Sequence, residues 1–461
     1  MVTRRRVIQA AAALGTFTIV PRHVLGGPKF VPPSEQVNVA LVGAGGQGRS
    51  NLKQLLQQKD CRVIAVADPA DSFSLENFYY KGVGGREPTL SDIDKHYDAA
   101  GASGKCKGYV DFREMLDKEK SLDAVLCATP DHVHAFVTAN CMRAGKHVYC
   151  EKPLTHNIWE ARRIAAIATE TGVATQMGNQ GHSTDNMRLT VEALQAGAIG
   201  NVKEVHAWVS GHRWNPTLTS APKENVEVPK GLNWDLWLGP REPRPFNPAY
   251  FPVAWRDFWQ FGGSNIGDFG CHDLDAACWA LDLKSPTSVD FAPAGVTDKE
   301  IGPHGAYGCY EFAARGSAPP VKIFWYDGGL KPTGIEGFPS TEKLSGRGVL
   351  FVGDKGFMLC GGAGGPMKIL PESVALNFKA PAPSIPRSKG HHRDWLDAIK
   401  GGPAASSNFA YGARLVEIVL LGVLSLRSGR LIEWNHDKME AVGFPEAESL
   451  IREPVRAGWE I

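Results

Sequence analysis

The sequence predicts an α/β plus α+β protein. It has an N-terminal doubly wound parallel sheet of the Rossmann type, followed by a C-terminal open, mainly antiparallel sheet. Three observations carry this. Val37 to Val42 alternates apolar residues and runs straight into Gly43-x-Gly45-x-x-Gly48, with an amphipathic stretch (Leu52, Leu55, Leu56) behind it. From there to about Gly178, short apolar runs alternate with helical patterns, as in βαβ units. Beyond Gly178 the rhythm changes to long alternating stretches, which read as antiparallel strands.

In the glycine loop, Gly43 suits a tight turn, Gly45 lets the backbone approach a pyrophosphate, and Gly48 lets the helix pack on the strand. The helix N-terminus, including Gln47, offers N–H groups and a positive dipole end to phosphates. A second strand, Arg62 to Ala67, ends in Asp68, where a carboxylate accepts hydrogen bonds from ribose hydroxyls. Asp68 repels a 2′-phosphate and no Arg follows at once, so NAD is expected over NADP.

The polar, Gly-rich segment 71–108 reads as a loop with a short helix, and order restarts at Tyr109. Leu122 to Ala128 is the next strand, and Thr129-Pro130-Asp131-His132 caps a helix running to Ala144. Lys146 to Cys150 forms a strand ending in Glu151-Lys152-Pro153. A helix from Ile158 to Thr171 and a strand from Val173 to Met177 complete the first domain, 31–178. In the second domain, 179–461, helices are expected at Asn186 to Ala196, His272 to Leu281, His391 to Ile399 and Ala410 to Arg427. Strands are expected at Val202 to Val209, Ser288 to Phe291, Tyr307 to Phe312, Val321 to Tyr326, Val349 to Val352 and Gly356 to Leu359. Asp354-Lys355-Gly356 is a hairpin turn. A ligand crevice then lies at the carboxyl ends of the parallel strands, between the domains.

Lys plus Arg is 50 against 49 for Asp plus Glu, so no long-range field recruits nucleic acid or an anionic membrane. Thr3-Arg4-Arg5-Arg6-Val7-Ile8-Gln9 fits a twin-arginine export signal. The apolar run from Ala10 to Val20 is too short to span a membrane. Residues 1–30 therefore read as a signal and arm, and a periplasmic protein with no membrane attachment is expected once the signal is removed. Nine cysteines without a C-x-x-C read as small buried apolar residues rather than a disulfide framework.

Two places carry candidate chemistry. Lys152 lies at a strand end beside the expected nicotinamide, where a cation stabilises a developing alkoxide. Asp268 and His272 are spaced i, i+4 and share one face of a helix start. The His suits base work near neutral pH, and the Asp can orient the ring or bind a substrate hydroxyl. The same residues also fit a surface Lys before a strand-ending Pro, and an N-cap Asp with a core His. No metal site is expected, because Asp268, His272 and Asp273 or Asp275 lack a further ligand at diagnostic spacing. A cis bond is expected before Pro153. The proximity of two basic groups is expected to depress the Lys152 pKa.

Gly43-x-Gly45-x-x-Gly48, Asp68, Thr129-Pro130, Glu151-Lys152-Pro153 and Asp268-x-x-x-His272 together resemble the glucose–fructose oxidoreductase, inositol dehydrogenase and MocA family. The resemblance runs from about Val37 to the C-terminal helix. It implies an NAD(P)-dependent oxidoreductase acting on a sugar, polyol or glycoside hydroxyl, in homo-oligomers paired through the second sheet. It implies Lys152, His272 and Asp268 as catalytic residues. It also places Gly43, Gly45, Gln47, Gly48, Asp68, Thr129, Pro130, His134, Glu151, Lys152, Asn179 and Gln180 around the cofactor. His182 can reach the nicotinamide or sugar. His391-His392 fits the crevice or a surface helix start. The Trp-rich segment Trp208 to Trp259 can line a sugar site or fill a core. Some branches are NAD-dependent glycosidases that oxidise a sugar transiently. A non-catalytic NAD-binding sensor or scaffold is the remaining alternative.

Overall fold

The structure, a computed structural model, describes residues 31–101 and 105–461. The expected export signal lies outside the described residues. The first domain holds β1 (Val37–Val42), β2 (Cys61–Ala67), a hairpin β3–β4 (Phe73–Ser74 and Val83–Gly84), β5 (Lys107–Tyr109), β6 (Ala124–Cys127), β7 (His147–Glu151) and β8 (Thr175–Gly178). Six of these form one sheet in the order β5-β2-β1-β6-β7-β8, and every pair in it is parallel. The order in which strands are added reverses between β1 and β6, and this switch point makes the crevice into which the glycine loop opens.

Local sequence explains the helices. In Ile158–Thr171, Asn157 accepts from Glu160 N and Glu160 reaches back to the cap, a capping box. Ile158, Ala161, Ile164 and Ile167 recur at helical spacing and are buried, each isoleucine contributing about 1.5–3 kcal/mol. The helix stops at Gly172, which takes the left-handed conformation. The segment after β2 is more ordered than its composition predicts. Its helix runs Arg86–Ala99, anchored by buried Thr89, Ile93 and Tyr97 on an otherwise polar surface.

The second domain contributes β9 (Val202–Val209), β10 (Ser288–Ala294), β11 (Gly305–Phe312), β12 (Val321–Tyr326), β13 (Arg347–Gly353), β14 (Phe357–Gly361), β15 (Met367–Leu370), β16 (Ile432–Asn435) and β17 (Glu440–Ala441). They form a nine-stranded sheet in the order β15-β14-β13-β9-β12-β11-β10-β16-β17. Only β9 with β12 is parallel among these pairs. The expected hairpin closes β13 onto β14, with Gly353 N donating to Gly356 O.

The apolar helix Phe409–Ser428 is long and apolar enough to cross a membrane, but 83% of its most apolar window is buried inside the protein. It packs against the helices Ile158–Thr171 and Ser264–Asp273 and against β10, joining the two domains. The expected helix His272–Leu281 is instead two, Ser264–Asp273 and Asp275–Ala280. Asp268 and His272 thus sit inside a helix, not at its start. Glycines lower helix propensity here, yet a Cβ on Gly270 would come within 2.8 Å of Val419. Close packing on the apolar helix overrides propensity.

His391 and His392 do start a helix, but it is buried. It packs on the first domain, where Trp395 and Leu396 join the core beside β1 and Tyr149. Eight of the nine cysteines are buried, and all nine are free thiols.

Candidate active site

A cavity of about 480 Å³ runs from the glycine loop to the helix Ser264–Asp273. At one end, Gly43 has φ +91°, and a Cβ there would lie 2.5 Å from the Ala128 carbonyl carbon. A Cβ on Gly48 would lie 2.0 Å from Gly43 O, so this glycine serves strand–helix packing and does not line the cavity. Gly45 differs. The space beside it is open apart from Phe73 Cζ at 3.9 Å. The helix it caps has no side-chain cap, so its first N–H groups remain available to an anion. This cradle fits a dinucleotide pyrophosphate.

Asp68 lies at the same end and is buried. Its carboxylate accepts from Ala44 N at 2.7 Å and Ala70 N at 2.8 Å, tying the glycine loop to the end of β2. Each oxygen keeps a lone pair for a ribose hydroxyl. Burial pushes its pKa up to about 6, against the pull of those N–H groups and Arg86. Arg86, far away in sequence, donates to Asp68 O at 2.7 Å and is paired with Asp71. It is thus engaged with the chain and does not line the cavity.

Thr129, Pro130, His134, Gln47, Glu151 and Gln180 also line the cavity. His134 faces Pro153 O at 2.7 Å and Thr129 O at 2.8 Å. It pins the loop after β6 to the segment after β7, and burial lowers its pKa to about 4. Glu151 accepts from Asn51 at 2.8 Å, Gln180 at 2.7 Å and Gln47 at 3.3 Å. Cys127, His134 and Cys150 lie close together, but both His134 nitrogens are directed at carbonyl oxygens rather than at an ion. Asn179 does not line the cavity. It is fully buried, donating to Asp275 at 2.9 Å and accepting from Ser407. His182 lies beside it on Asp275 and is stacked on Trp279. These two buttress the loop that carries Gln180. His391 and His392 lie beneath Tyr149, against Met177 O and Asn51, and do not reach the crevice.

At the other end Lys152, next to a cis Pro153, meets Asp268. Lys152 Nζ lies 2.5 Å from Asp268 Oδ1 and 2.6 Å from Asp268 O. Burial pulls the Lys152 pKa down, but the Asp268 carboxylate outweighs burial and Arg256, so it is raised. This corrects the expected depression, because the nearest charge is an anion. Asp268 is held well below the usual carboxylate range: burial opposes this, but Lys152 and Arg256 prevail. Asp268 makes no hydrogen bond to His272, so it does not orient the ring.

His272 lies one helical turn on, about 6 Å along the axis. Its ring lines the cavity, and its Nδ1 is buried without a partner. Burial, then the Lys152 and Arg347 charges, push its pKa well below the usual value. It is therefore a neutral base at pH 7.

Arg256 and Arg347 line the cavity without any signal in the sequence motifs, and Asp131 lines it although the sequence marks it only as part of a helix cap. Arg256 Nε lies 3.5 Å from Asp268 Oδ2. Asp131 begins the helix Asp131–Arg143 without capping it, and burial raises its pKa to about 8. Arg347 pairs with fully buried Asp273 at 2.9 Å. The Trp-rich segment both fills a core and lines the cavity. Trp234, Trp237 and Trp255 pack with Phe246, Tyr250, Phe258 and Phe261, while Trp214, Trp237 and Trp255 face the cavity.

With this geometry in place, the comparisons are decisive about kinship. Residues 37–179 match the Gfo/Idh/MocA model described as oxidoreductase family, NAD-binding Rossmann fold. Residues 187–303 match the same family's C-terminal alpha/beta domain. The chain belongs to the Gfo/Idh/MocA oxidoreductase family. An inositol 2-dehydrogenase of Rhizobium meliloti is 25% identical over 59% of this chain and 62% of its own length. A glycosyl hydrolase family 109 protein of Shewanella pealeana is 22% identical over 45% of this chain and 44% of its own. Matches thus cover less than two thirds of these curated relatives. The WlbA dehydrogenase of Bordetella pertussis, solved with NADH and UDP-GlcNAcA, shares the fold with TM-score 0.59 at 17% identity, over 87% of this chain and 98% of that one. The first domain is thus an NAD-binding Rossmann domain of this family.

Asp68 must be ionised to accept from both ribose hydroxyls. We expect NAD affinity to fall as pH drops through about 6, and the Asp68→Asn variant to lose that dependence. Calorimetric titration of NAD between pH 5 and 8 checks this; a flat wild-type profile would contradict the role.

Proposed function

We propose that the protein is an NAD-dependent oxidoreductase of a sugar or polyol CH–OH group. The observation that carries this reading is Lys152, fixed on Asp268 at 2.5 Å, in the same cavity wall as His272. NAD, when bound, supplies the hydride acceptor. Lys152 directs a cation at the substrate oxygen and stabilises developing alkoxide. His272 accepts the hydroxyl proton, directly or through a water. Asp268 holds Lys152 charged and in place. The cofactor stays on the glycine loop and Asp68, on separate elements. The inositol 2-dehydrogenase relative supports a polyol or sugar as substrate.

The family 109 relative supports a second reading, glycoside cleavage through transient oxidation and elimination. Both readings share the Lys152/His272 step. They part on product: release of a phenol from an aryl glycoside without net NADH belongs to the second.

We also propose export by the twin-arginine route and self-association through the open face of the second sheet. The motif around Arg4 and Arg5 supports export. Tyr307, 42% exposed, lies beside Phe324 and Tyr326 on that face, which supports association. Lysine at positions 4 and 5 should retain the protein in the cytoplasm, and sedimentation should show a species larger than one chain.

For the chemistry, we expect Lys152→Ala and His272→Ala each to lower kcat by about 10²–10⁴ with NAD affinity kept. In wild type at saturating NAD, kcat should persist as pH falls through about 6.5, the ordinary histidine value. The folded His272 pKa lies well below that, so its base form remains. Near wild-type turnover by either variant, or loss of activity centred at the ordinary value, would overturn the assignment.

A further inference from the structure

Arg256 lines the cavity and is only loosely paired. Asp268, the carboxylate nearest to it, is already held at 2.5 Å by Lys152 and reaches Arg256 only at 3.5 Å, through Nε. Arg256 Nη1 makes one long bond to Val253 O at 3.3 Å. The outer guanidinium edge has no partner among the described residues. Arg347, another cation of this wall, is neutralised by Asp273. Asp131 is the other acid near Arg256, but no ion pair joins the two among the described residues. Lys152 and Arg256 thus both lie against Asp268.

The surroundings favour a charged ligand. The Arg256 guanidinium carbon lies 4.1 Å from the Trp255 ring centre and 5.8 Å from that of Trp214. Tyr79 stacks on Trp214 at 5.7 Å, closing the aromatic wall. These rings hold the guanidinium by its faces and leave its edge to the cavity. In such a place a planar anion binds far more tightly than a hydroxyl.

Resting on the reading that this cavity binds a sugar, we propose that Arg256 receives a carboxylate, making the substrate class sugar acids such as hexuronates or aldonates rather than neutral polyols. The outer edge of the Arg256 fork faces the cavity and matches a carboxylate edge. The aromatic wall then carries the apolar face of the ring.

The test is calorimetric binding of matched pairs, each hexuronate with its neutral hexose, to the NAD-saturated full chain. The probes are glucuronate with glucose and galacturonate with galactose, and glucose 6-phosphate is run beside them. In wild type the acid of at least one pair should bind roughly 10- to 100-fold tighter than its neutral partner. Arg256→Gln should abolish the difference, and Arg256→Lys, which keeps charge but not the fork, should retain part of it. NAD affinity should be unchanged in both, which also reports that they fold. Equal binding of acid and hexose by wild type, preference kept in Arg256→Gln, or tighter binding of the sugar phosphate would each overturn the proposal. NADH formation in the same mixtures separates the two levels. Oxidation of neutral sugars with no preference for acids sinks this inference alone, whereas tight acid binding without any NADH formation sinks the oxidoreductase reading alone.

Discussion

The ion pair between Lys152 and Asp268 is the constraint around which the rest of the site is arranged. Lys152 directly follows strand β7 of the parallel sheet, and Asp268 sits in a helix of the second domain. Their 2.5 Å contact therefore fixes the two halves of the cavity relative to each other. Their side chains are only 15% and 11% exposed. Desolvation opposes such a pair, and removing one partner of a buried pair typically costs about 3–5 kcal/mol. The second hydrogen bond, from Lys152 to Asp268 O, and the Arg256 contact offset part of that desolvation.

The pair also settles the protonation states that the chemistry needs. Asp268 keeps Lys152 a cation in spite of burial, and burial together with the Lys152 charge lowers the His272 pKa. One arrangement thus separates an electrophile from a base within one helical turn. The rest of the wall serves position. His134 pins the segment that carries Lys152, and Glu151 gathers Gln47, Asn51 and Gln180 on one carboxylate. The Asn179–Asp275–His182 network stiffens the same loop from behind.

Much of this was legible in the sequence, for physical reasons. The glycine loop must be written in glycines, because any Cβ at Gly43 or Gly48 meets backbone. The helix Ile158–Thr171 carries its cap, its apolar stripe and its stop signal locally. Lys152, Asp268 and His272 were readable because their spacing follows strand ends and helix turns. The pairing of Lys152 with Asp268 was not, since it joins residues 116 positions apart. Arg256 gave no signal for the same reason: its meaning lies in Trp214, Trp255 and Asp268, which only the fold assembles. Asn179 and His182 were misplaced because a residue just past a strand end can turn either to the crevice or to the core. Asp275, buried behind the loop, turns them inward. The helix that begins at His391 was ambiguous because its partners, Asn51 and Tyr149, belong to the other domain.

The central claim is that Lys152 and His272 act on one hydroxyl as a unit. A double-mutant cycle on turnover tests it most directly: NADH formation by wild type, Lys152→Ala, His272→Ala and the double variant, at saturating NAD. Residues acting together are strongly non-additive. The account predicts that the double variant is hardly slower than the worse single variant. Losses that multiply across the cycle would contradict it, because they would mean that the two residues act at separate points of the reaction.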